Sequence, residues 1–332
     1  MIITRTPFRI SFFGGGTDYP VWYNENGGAV LNTTINKYCY ISCRYLPPFF
    51  EYKYRIRYTL RELTRHVSEI RHPSVRECLK LLGINKGIEM VHTSDIPAQS
   101  GIGSSSAFTV GFLNSLYALK GKMVSKRQLA REAIYVEQDL IEENVGSQDQ
   151  VAAAFGGLNK IEFGGEKNFF VYPMTIPKEN VDSLQDHLML FFTGFARVAS
   201  EVAGEQIRKT PSRKNELKNM GEMVEEAINI LNGSPENIED FGRLLHESWK
   251  LKRSLTDLIT TDEINDIYDM ARRAGALGGK LLGAGGGGFI LFFARPEDQQ
   301  RIMEKLGSFL YVPFEFESLG SQTILYSAQD FF

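Results

Sequence analysis

The chain is short of the residues that mark several common functions. Its three cysteines, Cys39, Cys43 and Cys78, form no CxxC pair. Neither a disulfide framework nor a zinc site is expected, and the three read as buried thiols. The five histidines include no HExxH spacing, which removes support for zinc hydrolysis. No apolar run approaches the ~18 residues of a membrane span. The opening MIITRTPFRI lacks the basic and apolar regions of a signal peptide, so no membrane contact and a cytoplasmic location are expected. An excess of one charge is missing too: 37 Lys plus Arg stand against 40 Asp plus Glu, a net −3. A nucleic-acid binder needs a basic excess to displace phosphate counterions, so that class is disfavoured as well.

Proline is scarce at 12, whereas glycine is plentiful at 31, and much of it falls in three clusters. These are GGGTD (Gly14 to Asp18), GIGSSS (Gly101 to Ser106) and GAGGGG (Gly283 to Gly288). The second cluster sits where a strand, GIEMVHTSDIP, gives way to a helix beginning at the serines. Glycine lets backbone approach an oxyanion, and a helix N-terminus offers free N–H groups and a favourable dipole. That is a phosphate cradle without the GK[ST] ending of a Walker A loop. The third cluster spells GxGxxG but precedes the strand-like FILFFA, so it is no dinucleotide fingerprint. It reads as a loop where backbone comes close to a ligand or another segment. Asp240, Phe241 and Gly242 spell a protein-kinase triplet inside an amphipathic helix with no HRD loop upstream, which removes that class.

At about 150 residues per domain the length suggests two, and strands dominate the first half while helices dominate the second, which implies an α+β fold. The composition shifts over 164–187, which carries Gly, Pro and charge, and the domain boundary is expected at its end, giving domains 1–185 and 186–332. A capping box at Ser125 opens a helix expected to run to about Asn144, and a second at Thr260 opens one over 262–274. Helices are also expected over 212–232 and 236–254. Glu137 borders an apolar helix face and needs a partner, either a salt bridge or Mg²⁺ on nucleotide phosphates. Asp149 lies at the edge of the apolar run VAAAF. Lys53, Arg55 and Arg57 share one strand face, which is usually a solvated face and otherwise an anion site.

Taken in order, the clusters resemble the motifs of the GHMP kinase superfamily, through Pro7, Arg9, Gly14, Thr17 and Asp18, then Pro97 with Gly101 to Ala107, then Lys280 with Gly283 to Gly288. The resemblance implies a ribosomal protein S5 domain 2-like N-terminal domain and a ferredoxin-like C-terminal one. It implies ATP held by Pro97, Gly101, Ile102, Gly103, Ser104, Ser105 and Ser106, and Mg²⁺ held by Glu137 with Ser104 or Ser105. Asp149 and Arg9 align with catalytic positions. Gly15, Gly16, Thr17, Asp18 and Gly286 are expected around the acceptor, with Arg197 as a cation for a substrate phosphate. FGGGTDYP followed by GGAVLNTTI is similar to the sugar 1-kinases that act on D-glycero-D-manno-heptose 7-phosphate, with fucokinases more distant. A small-molecule sugar phosphate is thus the expected partner, and the resemblance is compatible with a homodimer.

Overall fold

A computed structural model describes residues 1–98, 100–165, 168–194 and 199–327. Two long strands, β1 (Ile2–Phe13) and β2 (Gly28–Tyr45), pair antiparallel to form the spine of the first sheet. The 18 residues of β2 are rich in Val, Ile, Thr and Tyr and give it room for several partners. A short hairpin of β3 (Tyr54–Arg57) and β4 (Arg61–Thr64) joins the sheet through β5 (Ile88–Ser94), which pairs with the second half of β2. The first half of β2 carries β6 (Asn159–Gly164), itself paired with β7 (Asn168–Pro173). The second sheet contains β8 (Leu188–Phe192), β9 (Gly278–Leu281), β10 (Phe289–Phe293) and β11 (Leu310–Tyr311) in the order β11-β8-β10-β9, all antiparallel. In chain order that is 4-1-3-2, the ferredoxin-like arrangement. The chain then returns: β12 (Phe316–Glu317) adds to β2 and β13 (Gln322–Tyr326) to β1.

The helices in chain order are α1 (Pro20–Asn26), α2 (Pro73–Leu81), α3 (Ser104–Leu119), α4 (Lys126–Tyr135), α5 (Gln148–Phe155) and α6 (Lys178–Asp186). They continue as α7 (Ala199–Lys209), α8 (Lys214–Asn232), α9 (Ile238–Ser254), α10 (Asp262–Arg273) and α11 (Pro296–Lys305). Helix α3 is buried for most of its length and packs on β1, β2, α4 and α5. The pair α8 and α9 joins the two sheets, α8 lying on β1 and β2, and α9 on β9.

Several expectations need correction. The stretch 164–187, with the expected domain boundary at its end, holds the end of β6, all of β7 and all of α6. The passage between sheets does come just after α6, but residues 316–326 rejoin the first sheet, so 186–332 is not self-contained. Ser125 caps α4 as expected, accepting Gln128 N–H at 3.1 Å. The helix then changes to one turn of π-helix at Val136–Leu140 and stops short of Asn144. The cap of α10 is Thr261, which accepts Ile264 N–H at 3.3 Å, while Thr260 bonds the Asn265 side chain. Helix α7 has no counterpart among the expected helices.

Candidate active site

The three glycine clusters converge on one cleft of about 260 Å³ between the sheets. Gly103, at φ +77°, sets the turn into α3, whose first N–H groups face the cleft without helical partners. The second and third clusters pack backbone to backbone: a Cβ on Gly283 would stand 2.6 Å from Gly101 Cα. Of the expected cradle residues, Gly101, Gly103, Ser104, Ser105 and Ser106 line the cleft. Ile102 is instead buried in the core, and its carbonyl accepts Arg9 N–H at 3.1 Å. Pro97 lies outside the lining, its carbonyl accepting Ser100 Oγ at 2.8 Å.

Opposite the cradle, β1 presents Arg9 and the first turn of α5 presents Asp149. Arg9 Nε and Nη2 donate to the two Asp149 oxygens at 2.7 and 2.8 Å, and Nη1 donates to Gly101 O at 2.7 Å. One guanidinium thus ties the candidate acid to the phosphate loop. Asp149 keeps 24% of its side chain exposed to the cleft. Behind the serines, the π-turn points Glu137 inward, and π-turns often mark functional positions. Glu137 Oε2 accepts Ser106 Oγ at 2.8 Å and Gln150 Nε2 at 2.5 Å, while buried Oε1 has no partner among the described residues. Burial pushes its carboxyl up to about 7, against the pull of Thr109, Ser106 and Gln150.

Further along the cleft come Gly15, Gly16 and Asp18. Asp18 is 2% exposed and accepts the N–H of Gly16, two residues before it, at 2.9 Å. Burial raises its carboxyl, the Gly16 N–H opposes this, and Asp149 adds repulsion. Thr17 is a correction: its hydroxyl bonds the carbonyls of Gly14 and Ala29 at 2.8 and 2.9 Å and staples the turn from outside the cleft. Gly286 is another, because it gives its N–H to Ile259 O and leaves the lining to Gly283 and Ala284. Arg197 lies outside the described residues. Lys53, Arg55 and Arg57 do not line the cleft: Lys53 and Arg57 are exposed, whereas Arg55 is largely covered, pairing with Glu89 at 3.3 Å and lying over the Phe50 ring.

Sequence reasoning missed several lining residues, and four buried polar ones stand out. Ser11, Gln148 and Gln206 are each at least nine-tenths buried, and Ser11 Oγ, Gln148 Oε1 and Gln206 Nε2 have no hydrogen-bond partner among the described residues. The fourth is Lys252 of α9, which joins Lys280 of β9 as a second buried ammonium on the cleft. Each donates to a carbonyl, Lys252 to Gly283 O and Lys280 to Phe12 O. Burial, then Arg9, pushes Lys252 down to about 8. Burial, then Lys252 and Arg9, pushes Lys280 well below the usual lysine range. A signal for Lys252 existed, since it stands three residues after buried Trp249 and seven after buried Leu245, on the buried stripe of α9. A smaller pocket of about 100 Å³ opens beside Ser104 and Ser105, walled by Phe8, Tyr58, His72, His92 and Phe108. His72 stacks on Phe108 with centroids 4.6 Å apart, and burial lowers His72 to about 4, so this wall is uncharged at neutral pH.

Known proteins resemble this chain along most of its length. Residues 70–157 match the GHMP kinases N terminal domain, and residues 217–312 match the GHMP kinases C terminal domain. A D-glycero-alpha-D-manno-heptose 7-phosphate kinase from Campylobacter jejuni is 30% identical over 322 residues, covering 92% of this chain and 93% of that one. An L-fucokinase/L-fucose-1-P guanylyltransferase from Bacteroides fragilis is 26% identical over 91% of this chain, which spans about a third (35%) of its length. The crystal structure of a D-glycero-D-manno-heptose 1-phosphate kinase from Bacteroides thetaiotaomicron superposes with a TM-score of 0.78 at 24% identity, covering 98% of this chain and all of that one. With both family domains matched in order, and a relative alike from end to end, the chain belongs to the GHMP kinases, ATP-dependent phosphotransferases.

Proposed function

We propose that the protein transfers the terminal phosphate of ATP to the anomeric hydroxyl of D-glycero-D-manno-heptose 7-phosphate, giving the 1,7-bisphosphate for nucleotide-activated heptose synthesis. One observation carries the acceptor class. Ser11 Oγ, Gln148 Oε1 and Gln206 Nε2 are buried polar atoms without partners on the same cleft as Asp18. Buried polar atoms are normally paired, so a cleft that gathers three unpaired ones suits a polyhydroxylated ligand. The likeness to the Campylobacter jejuni enzyme supplies the choice among sugars.

In this reading Gly101, Gly103 and Ser104 to Ser106 hold the nucleotide phosphates against the start of α3. The aromatic pocket beside them accepts the adenine base. The oxygen donors fit Mg²⁺: Glu137 keeps an unpartnered buried oxygen, and Ser106, which bonds its other oxygen, lines the cleft with Ser104 and Ser105. Mg²⁺ is commonly held by one or two carboxylates together with substrate phosphates. Among the described residues no cluster of three His, Cys, Asp or Glu could replace that arrangement. When bound, the ion supplies neutralisation of charge on the phosphates. Asp18 accepts a sugar hydroxyl, Asp149 takes the proton of the attacking hydroxyl, and Arg9 holds Asp149 in place and stabilises developing negative charge.

An ADP-release assay across free and phosphorylated sugars tests the assignment. Turnover with heptose 7-phosphate well above that with fucose is expected; turnover with fucose and none with heptose 7-phosphate would overturn the substrate while leaving a sugar kinase.

A further inference from the structure

The cleft carries more cationic groups than the Arg9–Asp149 pair accounts for. Asp149 already takes two hydrogen bonds from Arg9, and the hydrogen bonds recorded to the Asp18 side chain come from backbone N–H groups. Lys252 is 6% exposed, its ammonium bonds a carbonyl, and no ion pair to it is found among the described residues. A buried ammonium is costly without a counter-charge. Its position says which anion supplies one. Lys252 grips Gly283 O, Arg9 grips Gly101 O, and Gly283 and Gly101 are the glycines at which the second and third clusters touch. The charges felt by Lys252 are Arg9 on β1, Asp18 on the glycine turn and Asp149 on α5, with Lys280 on β9 felt as a neighbour from the other side. It therefore stands where the donor loop meets the two acids assigned to the acceptor.

We propose that Lys252 is a further catalytic residue, whose ammonium contacts the phosphoryl group as it passes from ATP to the sugar. This rests on the kinase reading above. In the step, the acceptor oxygen bonds to the terminal phosphorus while the bond from that phosphorus to the bridging oxygen breaks. ADP leaves with that electron pair, the hydroxyl proton passes to Asp149, and Lys252 stays protonated throughout. Its charge acts on the three phosphoryl oxygens, where a fixed cation in a dry site is most effective.

The test compares wild type with Lys252→Met and Lys252→Arg, using Lys250→Gln, an exposed change on the same helix, as the control. Lys252→Met should lower kcat by about 100-fold or more with KM values changed less than about threefold, Lys252→Arg should recover part of the loss, and the control should match wild type. Binding gives a readout that needs no sugar. Mg·ADP should bind wild type and Lys252→Met alike, while Mg·ADP with aluminium fluoride should bind wild type about 100-fold more tightly. Equal metallofluoride binding overturns the proposal. So does a loss of kcat in Lys252→Met matched by equal losses of ADP affinity and thermal stability, with no recovery in Lys252→Arg, because Lys252 would then be a clamp on Gly283. Failure of heptose 7-phosphate in the sugar panel overturns the substrate alone, and the Lys252 comparison is then read with the sugar that does react or with metallofluoride.

Discussion

Replacing Glu137 by glutamine should make the nucleotide-free protein more stable at neutral and alkaline pH while abolishing its activity. The side chain is 1% exposed, and burial raises its carboxyl from the usual 4.5 to about 7. The fold therefore favours the neutral acid. That contribution is complete below about 4.5, fades as pH rises and is gone above about 7, where the native state carries a buried carboxylate. The gap corresponds to about 3 kcal/mol at pH 8. Glutamine keeps an oxygen for Ser106 and Gln150 and places an amide where Oε1 has no partner, so most of that cost should disappear. For a chain of 332 residues this is a rise in Tm of roughly 4 °C. Thermal melts by circular dichroism from pH 4 to 9 would show the two proteins converging below about pH 4.5, diverging as the pH rises to about 7, and keeping a constant difference above it. Adding Mg·ATP should reverse the order, because only wild type retains the carboxylate for the ion. A variant less stable at every pH, or a difference that ignores pH, would refute the reasoning.

Three other outcomes follow from the same geometry. Asp149→Asn should lower kcat by at least about 100-fold with modest change in either KM, measured by steady-state ADP release; a near-normal kcat would remove Asp149 from the chemistry. Gln206→Leu removes an unpartnered buried Nε2 but also the weak 3.3 Å hydrogen bond that Oε1 accepts from buried Tyr19, so Tm should change little while the acceptor KM increases about tenfold and the ATP KM stays put. A parallel rise in both KM values would place Gln206 outside the acceptor end. Because burial and Arg9 lower Lys252 to about 8, with Asp18 and Asp149 partly offsetting them, kcat/KM should fall as pH rises through about 8. Lys252→Met should lack that alkaline limb, and an unchanged limb in the variant would assign it to another group.

The parts of this molecule legible from sequence are those governed by local chemistry. Long β1 and β2 follow from runs of β-branched and aromatic residues, Ser125 from its capping pattern, and α3 from glycine followed by serines and apolar residues. Glu137 was legible because a carboxylate on an apolar face demands a partner. What escaped depends on pairings across the chain. The return of β13 to β1 joins residues 322–326 to 2–5, and nothing local marks it. Gly286 and Gly283 look alike in the sequence, yet only contact with Ile259 in one case and Gly101 in the other separates them. Ser11 alternates along β1 like any strand serine, and only the arrival of α5 and α7 makes its hydroxyl part of a cleft. Lys252 was hidden because lysine on an amphipathic helix normally belongs to the solvent face, although its spacing from Trp249 already contradicted that.

The central claim is that two phosphorylated molecules meet in this cleft and that the phosphate lands on the anomeric oxygen. Phosphorus NMR of the protein with Mg·ATP and D-glycero-D-manno-heptose 7-phosphate tests it most directly. A new signal coupled to the anomeric proton, growing as ADP appears and leaving the original 7-phosphate in place, is the predicted result. ADP formed with only inorganic phosphate, or a new phosphate coupled to another ring proton, would contradict it.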